Sequence, residues 1–234
     1  MRKYTNLVME LRSRNLKSNA VGLTLFENVI RRDPKTAIGE FCENPTEEYK
    51  LSKILSLEIQ DLLEKSGAGS IASNKNKYDI ASDIIFSNIN RCISVTKSVY
   101  RGYSFATQDK MHDTIMDILI DGISTNKHDG YIYLSAIPSV AVEFSMSTGQ
   151  YGFVVKFDAL QIKYEGVVYS QIGKLNTEPF SLRFEAEIRA YENIKPEAVK
   201  SICIIDRLRR QIGLNNSQNR RLDYVFIAQV QHKR

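Results

Sequence analysis

The sequence predicts an α+β fold, a mixed or antiparallel β-sheet core with helices packed against it. Helical periodicity dominates residues 1–97, and short strand-like runs separated by turn signals dominate the remainder of the chain. Composition agrees: 234 residues, 43% hydrophobic and 25% charged, with 12 Gly and 5 Pro. A folded chain of that length buries roughly 70% of the surface its unfolded form exposes. Disorder, collagen-like repeats and a disulfide scaffold are excluded.

In chain order, Asn44 before Pro45, with Glu47 three positions after Asn44, supplies a cap, a first-turn proline and a reciprocal acceptor. Leu51, Leu55, Ile59, Leu62 and Leu63 then recur at helical spacing until Gly67. The stretch from Gly67 to Lys77 is rich in Gly, Ser, Asn and Lys and reads as a loop. A second helix carries Ile80, Ile84, Ile85, Ile89, Cys92 and Ile93 on one side. Ser98 to Arg101 reads as a short strand, and residues 108–121 as a helix with Met111, Ile115, Ile118 and Leu119 inward and Gly122 at its end. Strands are expected over 130–135, 151–158, 164–169, 182–190, 199–205 and 222–230, with a short helix over 138–147. The change of character near residue 97 divides the chain into an N-terminal helical region, 1–97, either accessory or packed on the sheet, and a chemistry-bearing region, 98–234.

The net charge of +5, from 32 Lys+Arg against 27 Asp+Glu, suits an anionic ligand but falls far short of a nucleic-acid-binding stripe. Basic runs such as Arg207-Leu208-Arg209-Arg210 have no interleaved aromatics for base stacking. Cys42, Cys92 and Cys203 are odd in number and form no CxxC, as buried thiols in a reducing compartment do. His112, His128 and His232 are scattered, so neither a metal site nor a Ser-His-Asp triad is expected. No apolar run is long enough for a membrane span, and Met1 to Arg12 lacks the uninterrupted apolar core of a secretory signal. A cytoplasmic site of action is therefore expected, and export by a signal-independent route would leave no trace of this kind.

Three segments can carry chemistry. Leu182 to Ala190 alternates, with Leu182, Phe184, Ala186, Ile188 and Ala190 on one face and Arg183, Glu185, Glu187 and Arg189 on the other. Side chains two apart on a strand lie about 6.5–7 Å apart on one face. Glu185 and Glu187 are thus expected side by side, where two carboxylates divide acid and base roles. In Val99-Tyr100-Arg101-Gly102 an arginine ends an apolar strand, and its planar donor fork suits phosphate. In Tyr131 to Phe144 a strand ends at Ser135 and a helix starts with Pro138 in its first turn. Each has a plain structural counterpart: a solvated strand face, a strand-end arginine beside a turn, and a turn-capping serine.

In the order Arg101, Ser135, Glu185-x-Glu187, these segments resemble the arginine–serine–glutamate class of mono-ADP-ribosyltransferases, the cholera-toxin-like group, over about residues 98–205. The run Ile188 to Val199, with Pro196, is similar to the glutamate strand of that family leading into its next strand. The family often has Ser-Thr-Ser where this chain has Ser135-Ala136-Ile137, so the second hydroxyl is missing. The resemblance implies an ADP-ribosyltransferase-like sheet core and NAD as substrate, without a metal. It assigns Arg101 and Gly102 to NAD, Ser135 to holding Glu187 and the ribose, Glu187 to stabilising the ribosyl cation, and Glu185 to taking a proton from an acceptor, which favours a protein arginine. Relatives of this kind include bacterial toxins, injected effectors and phage enzymes acting on host proteins. The turn 176–181 is then expected to meet the protein substrate, with Phe180 a contact or a core residue, and Phe144 and Phe153 are expected in the core rather than clamping nicotinamide. The alternatives are a non-catalytic interaction module on a degenerate version of the fold, a nucleic-acid-modifying protein, and sugar hydrolysis, which the absence of Trp disfavours.

Overall fold

The computed structural model describes residues 21–30, 61, 65, 74–127, 129–145, 147–167, 186–206 and 224–232. Within these, β1 is Val21–Ile30, α1 Lys75–Thr96, β2 Ser98–Phe105, α2 Gln108–Ile120, β3 Ile132–Ser135, α3 Pro138–Ser145, β4 Tyr151–Asp158, β5 Tyr164–Gly166, β6 Glu187–Ala190, β7 Val199–Asp206 and β8 Tyr224–His232. The eight strands form one sheet in the order β1-β8-β7-β4-β2-β3-β6-β5. Each named strand pairing is antiparallel. The fold is therefore α+β.

Local chemistry explains the elements. The Asn74 side chain accepts from Lys77 N–H at 3.3 Å and starts α1, three residues earlier than the Gly/Ser-rich composition indicates. At the other end Lys97 adopts φ +48°, and its N–H closes on the Ile93 carbonyl. Thr107 caps α2, and Gly122, with φ +77°, follows its last turn. The buried face of α1 comprises Ala81, Ile85, Asn88, Ile89, Cys92, Ile93 and Thr96. Ile80, expected on that face, is exposed.

The principal core lies on one side of the sheet, where α1 and α2 residues such as Ile85, Ile89, Met111 and Ile115 share a buried cluster with Val99, Phe153, Val155, Phe157, Ile202, Leu134 and Ile188. The pleat sends Tyr100, Gly102, Val154 and Cys203 to the other side, under α3. Gly102 is needed there. A Cβ on it would sit 1.8 Å from the Ala141 carbonyl oxygen and 2.8 Å from Ser145 N, both backbone atoms of α3.

Three expectations change. Residues 1–97 read as helical, but Val21–Ile30 is a strand paired with β8. Its pleat alternates Val21, Leu23 and Leu25 with Gly22, Thr24 and Phe26, a pattern whose partner lies about two hundred residues away along the chain. Of the strand expected over 182–190, Glu187–Ala190 is strand and Ala186, with a φ of +41°, interrupts the pleat, while residues 182–185 lie outside the described residues. The strand after Ser98 continues to Phe105. The helix expected over Asn44–Gly67, the turn 176–181 and Phe180 lie outside the described residues, where only Asp61 and Lys65, joined by an ion pair at 2.6 Å, represent that helix.

Candidate functional site

Three neighbouring strands build the site. Tyr100 on β2 stands opposite Ser135 on β3, and Ser135 stands opposite Glu187 on β6. Residues directly opposite in antiparallel strands share a face with Cβ atoms about 4.5–5.5 Å apart. Continued the other way, Tyr100 is opposite Lys156 and Lys156 opposite Ser201. A polar row, Ser201–Lys156–Tyr100–Ser135–Glu187, thus crosses five strands on the α3 side of the sheet. Its members are buried except Glu187, which is half-buried.

Arg101 belongs by its pleat to the opposite face, with Val99 and Tyr103. It reaches the site because β2 and β3 share only the Tyr100–Ser135 pair and part beyond it. The Arg101 side chain spans that gap, its Nη1 donating to the Tyr133 carbonyl at 2.9 Å. Its guanidinium carbon lies 5.0 Å from the centre of the Tyr103 ring. Its Nε is buried without a hydrogen-bond partner among the described residues. Burial raises the Tyr103 phenol above its ordinary value, and the Arg101 charge and hydrogen bonding offset part of that rise.

The result is a cleft of about 430 Å³ lined by Tyr100, Arg101, Gly102, Tyr133, Leu134, Ser135, Val140, Ala141, Phe144 and Glu187. That volume lies within the range of small-molecule sites, ~300–1,000 Å³. One wall is α3, seated directly on Gly102. Ser135 Oγ accepts from Ile137 N–H at 3.0 Å, holding the turn into α3. The Glu187 strand is pinned on both flanks: Ala136 N–H donates to the Ala186 carbonyl at 3.0 Å, and Val167 N–H to the Glu187 carbonyl at 3.1 Å. Beyond Glu187, Arg189 pairs with Glu165 across β5 and lies 4.3 Å over the Tyr131 ring.

Of the residues singled out in the sequence, Arg101, Gly102, Ser135 and Glu187 meet in this one cleft. Glu185 lies outside the described residues. The period-two argument that set it beside Glu187 requires a continuous pleat, which the Ala186 backbone interrupts. Phe153 is fully buried, a core residue. Phe144 is not: it is 52% exposed and lines the cleft, because the turns of α3 that meet the sheet present Ala141, Val142 and Ser145. His112 lies 3.3 Å from the Gln108 side chain, His128 lies outside the described residues, and His232 is on β8, across the sheet from the cleft. Sequence reasoning missed Tyr133, 47% exposed at the cleft edge. The alternation of core residues Ile132 and Leu134 with Tyr133 and Ser135 carried that signal.

Among the described residues, no three of His, Cys, Asp or Glu come together as metal ligands. Among them, too, no helix is long and apolar enough to cross a membrane. Comparison with known proteins gives no match to a family model and no significant match to a curated protein. The cleft is thus defined by its chemistry alone: one guanidinium, one carboxylate and the hydroxyl-bearing Ser135, Tyr100 and Tyr133 line an opening of small-molecule size between parted strands.

Proposed function

We propose that the chain is an NAD-dependent mono-ADP-ribosyltransferase that modifies a protein side chain, arginine being the favoured acceptor, with NAD glycohydrolysis as a side reaction. The observation that carries this reading is the convergence of Arg101, Ser135 and Glu187, from three separate segments, on one cleft. The cleft fits the ligand in two respects: its volume suits a small molecule, and it contains a guanidinium whose fork matches phosphate. NAD, when bound, supplies the ADP-ribosyl group and a nicotinamide leaving group, and rupture of the bond between them leaves an oxocarbenium-like sugar.

Glu187 would stabilise that cation as charge develops, from a strand whose backbone is fixed on both sides. Ser135, directly opposite, would orient Glu187 and a ribose hydroxyl, its own oxygen held by Ile137 N–H. Arg101 would bind the phosphates, and Gly102 keeps α3 close enough to wall the cleft. Glu185 would accept the proton that an acceptor guanidinium must lose before it attacks. A cytosolic site of action, in place or after injection into a host cell, goes with this reading. The test is release of nicotinamide from NAD by the pure protein, followed by mass spectrometry of lysate proteins after incubation with labelled NAD. Unchanged turnover in Glu187→Ala would sink the assignment.

One observation favours a second reading, a non-catalytic interaction module on the same fold. Positions 136 and 137 carry Ala and Ile, both buried, so no second hydroxyl reaches the cleft from this turn. Calorimetry with NAD separates the two: no binding supports the module.

A further inference from the structure

Arg101 and Tyr103 are two apart on β2 and share a face. The guanidinium carbon lies 5.0 Å from the Tyr103 ring centre, within cation–π range. The ring is itself held: it stacks on Phe153 at 4.8 Å and 23°, and Phe153 stacks on Phe105 at 5.6 Å and 14°. Phe153 is completely buried, so the platform beneath the guanidinium is anchored in the core. From the neighbouring strand the Tyr133 carbonyl takes one Nη1 hydrogen at 2.9 Å. The arginine is therefore fixed at two points, on β2 and on β3, across the gap where those strands part. With Nε enclosed by protein, the Nη edge is what remains to meet a ligand. An unrestrained arginine surrenders much rotamer freedom on binding, whereas one already seated on a ring surrenders little.

We infer that Tyr103 is a positioning residue of this cleft, its ring seating Arg101 in the pose from which the guanidinium grips the pyrophosphate of a dinucleotide. The choice of ligand rests on the function proposed above; the role of the ring rests on the geometry. Arg101 also offsets part of the rise that burial imposes on the phenol, as expected of groups in contact.

The experiment compares the wild type with Tyr103→Phe, which keeps the ring, and with Tyr103→Met and Tyr103→Leu, which remove it in two different shapes. The readouts are kcat and KM for nicotinamide release and, independently of turnover, the calorimetric affinity for ADP-ribose. Loss of a desolvated cation–π seat predicts that Met and Leu raise KM and weaken ADP-ribose binding about tenfold, with kcat changed about twofold or less. Tyr103→Phe should stay within about twofold of wild type in all three, because its ring face is retained. A purely structural role would lower the active fraction, and so the apparent kcat, while leaving KM in place. Unaltered KM and ADP-ribose affinity in whichever of Met and Leu folds overturn the inference. So does equal impairment in Phe and Met, which would transfer the role to the hydroxyl. If the wild type leaves NAD intact yet binds ADP-ribose more tightly than Tyr103→Met, the proposed function fails and this inference stands. If the wild type binds no ADP-ribose, both fall.

Discussion

Glu187 is held by its neighbours on both flanks, while the residue before it, Ala186, sits at φ +41°. That left-handed value costs a residue with a Cβ about 1–2 kcal/mol. It sets the start of β6 at Glu187, level with Ser135. Glu187 is half-buried with an independently pinned backbone, so Glu187→Ala should keep its thermal melt; on the proposed function, nicotinamide release should fall about 10²–10³-fold, the usual cost of removing a charge-stabilising group. Glu185→Ala should spare hydrolysis more than transfer to protein; equal loss of both, measured with labelled NAD, would refute the division of labour. Arg101, Ser135 and Glu187 were legible in the sequence because each carries distinctive chemistry within or beside an apolar run. Phe144 was not, since an aromatic in an apolar run looks like core until the facing element is known; Tyr133 was readable only through its alternation with Ile132 and Leu134. The kink at Ala186 left no trace either, alanine being an ordinary strand residue.

At the level of elements, the cleft depends on how closely α3 lies on the sheet. Gly102→Ala would drive a methyl into the Ala141 carbonyl, and neither backbone can yield without moving α3. The expected result is a loss of about 1–3 kcal/mol in denaturant unfolding, with a larger fall in activity than the stability change explains. Asn74→Ala tests the other side of the sheet: losing the α1 cap should cost about 1 kcal/mol and leave KM unchanged. The same packing explains what the sequence concealed. Gly102 before Tyr103 and Ser104 before Phe105 look like a turn, yet β2 runs through them: Gly102 leaves room for α3, and Ser104 Oγ accepts from Thr148 and Gly149 N–H in the loop that follows that helix. By contrast β4 at Tyr151–Asp158 was legible as a short apolar run and the buried face of α2 as helical periodicity, both signals that local residues alone carry.

For the molecule as a whole, four ionisable groups among the described residues, Tyr103, Lys163, Tyr164 and Cys203, are raised above their ordinary values. Burial raises Tyr103, Tyr164 and Cys203, the last from 9.0 to about 12, and Lys163 is raised by its hydrogen bond to and charge interaction with Glu192. All four are protonated in both states at neutral pH. As pH climbs past 9 the unfolded chain releases protons that the folded chain retains, so stability must fall on the alkaline side. Melts at about pH 8 and about pH 10.5 should show that fall, with a shallower slope in Cys203→Ala. Iodoacetamide at about pH 8 should leave the native Cys203 thiol untouched, because the neutral form persists there.

The pairing of β1 with β8 has a practical consequence. A shortened chain beginning at Ser98 would lose α1 from the core and would move the border of the sheet from β1 to β8. With the apolar surface that Ile85, Ile89 and Cys92 cover laid bare, light scattering should find the shortened chain self-associating. In the intact chain that selvedge is β1, and β8 lies one row inside it.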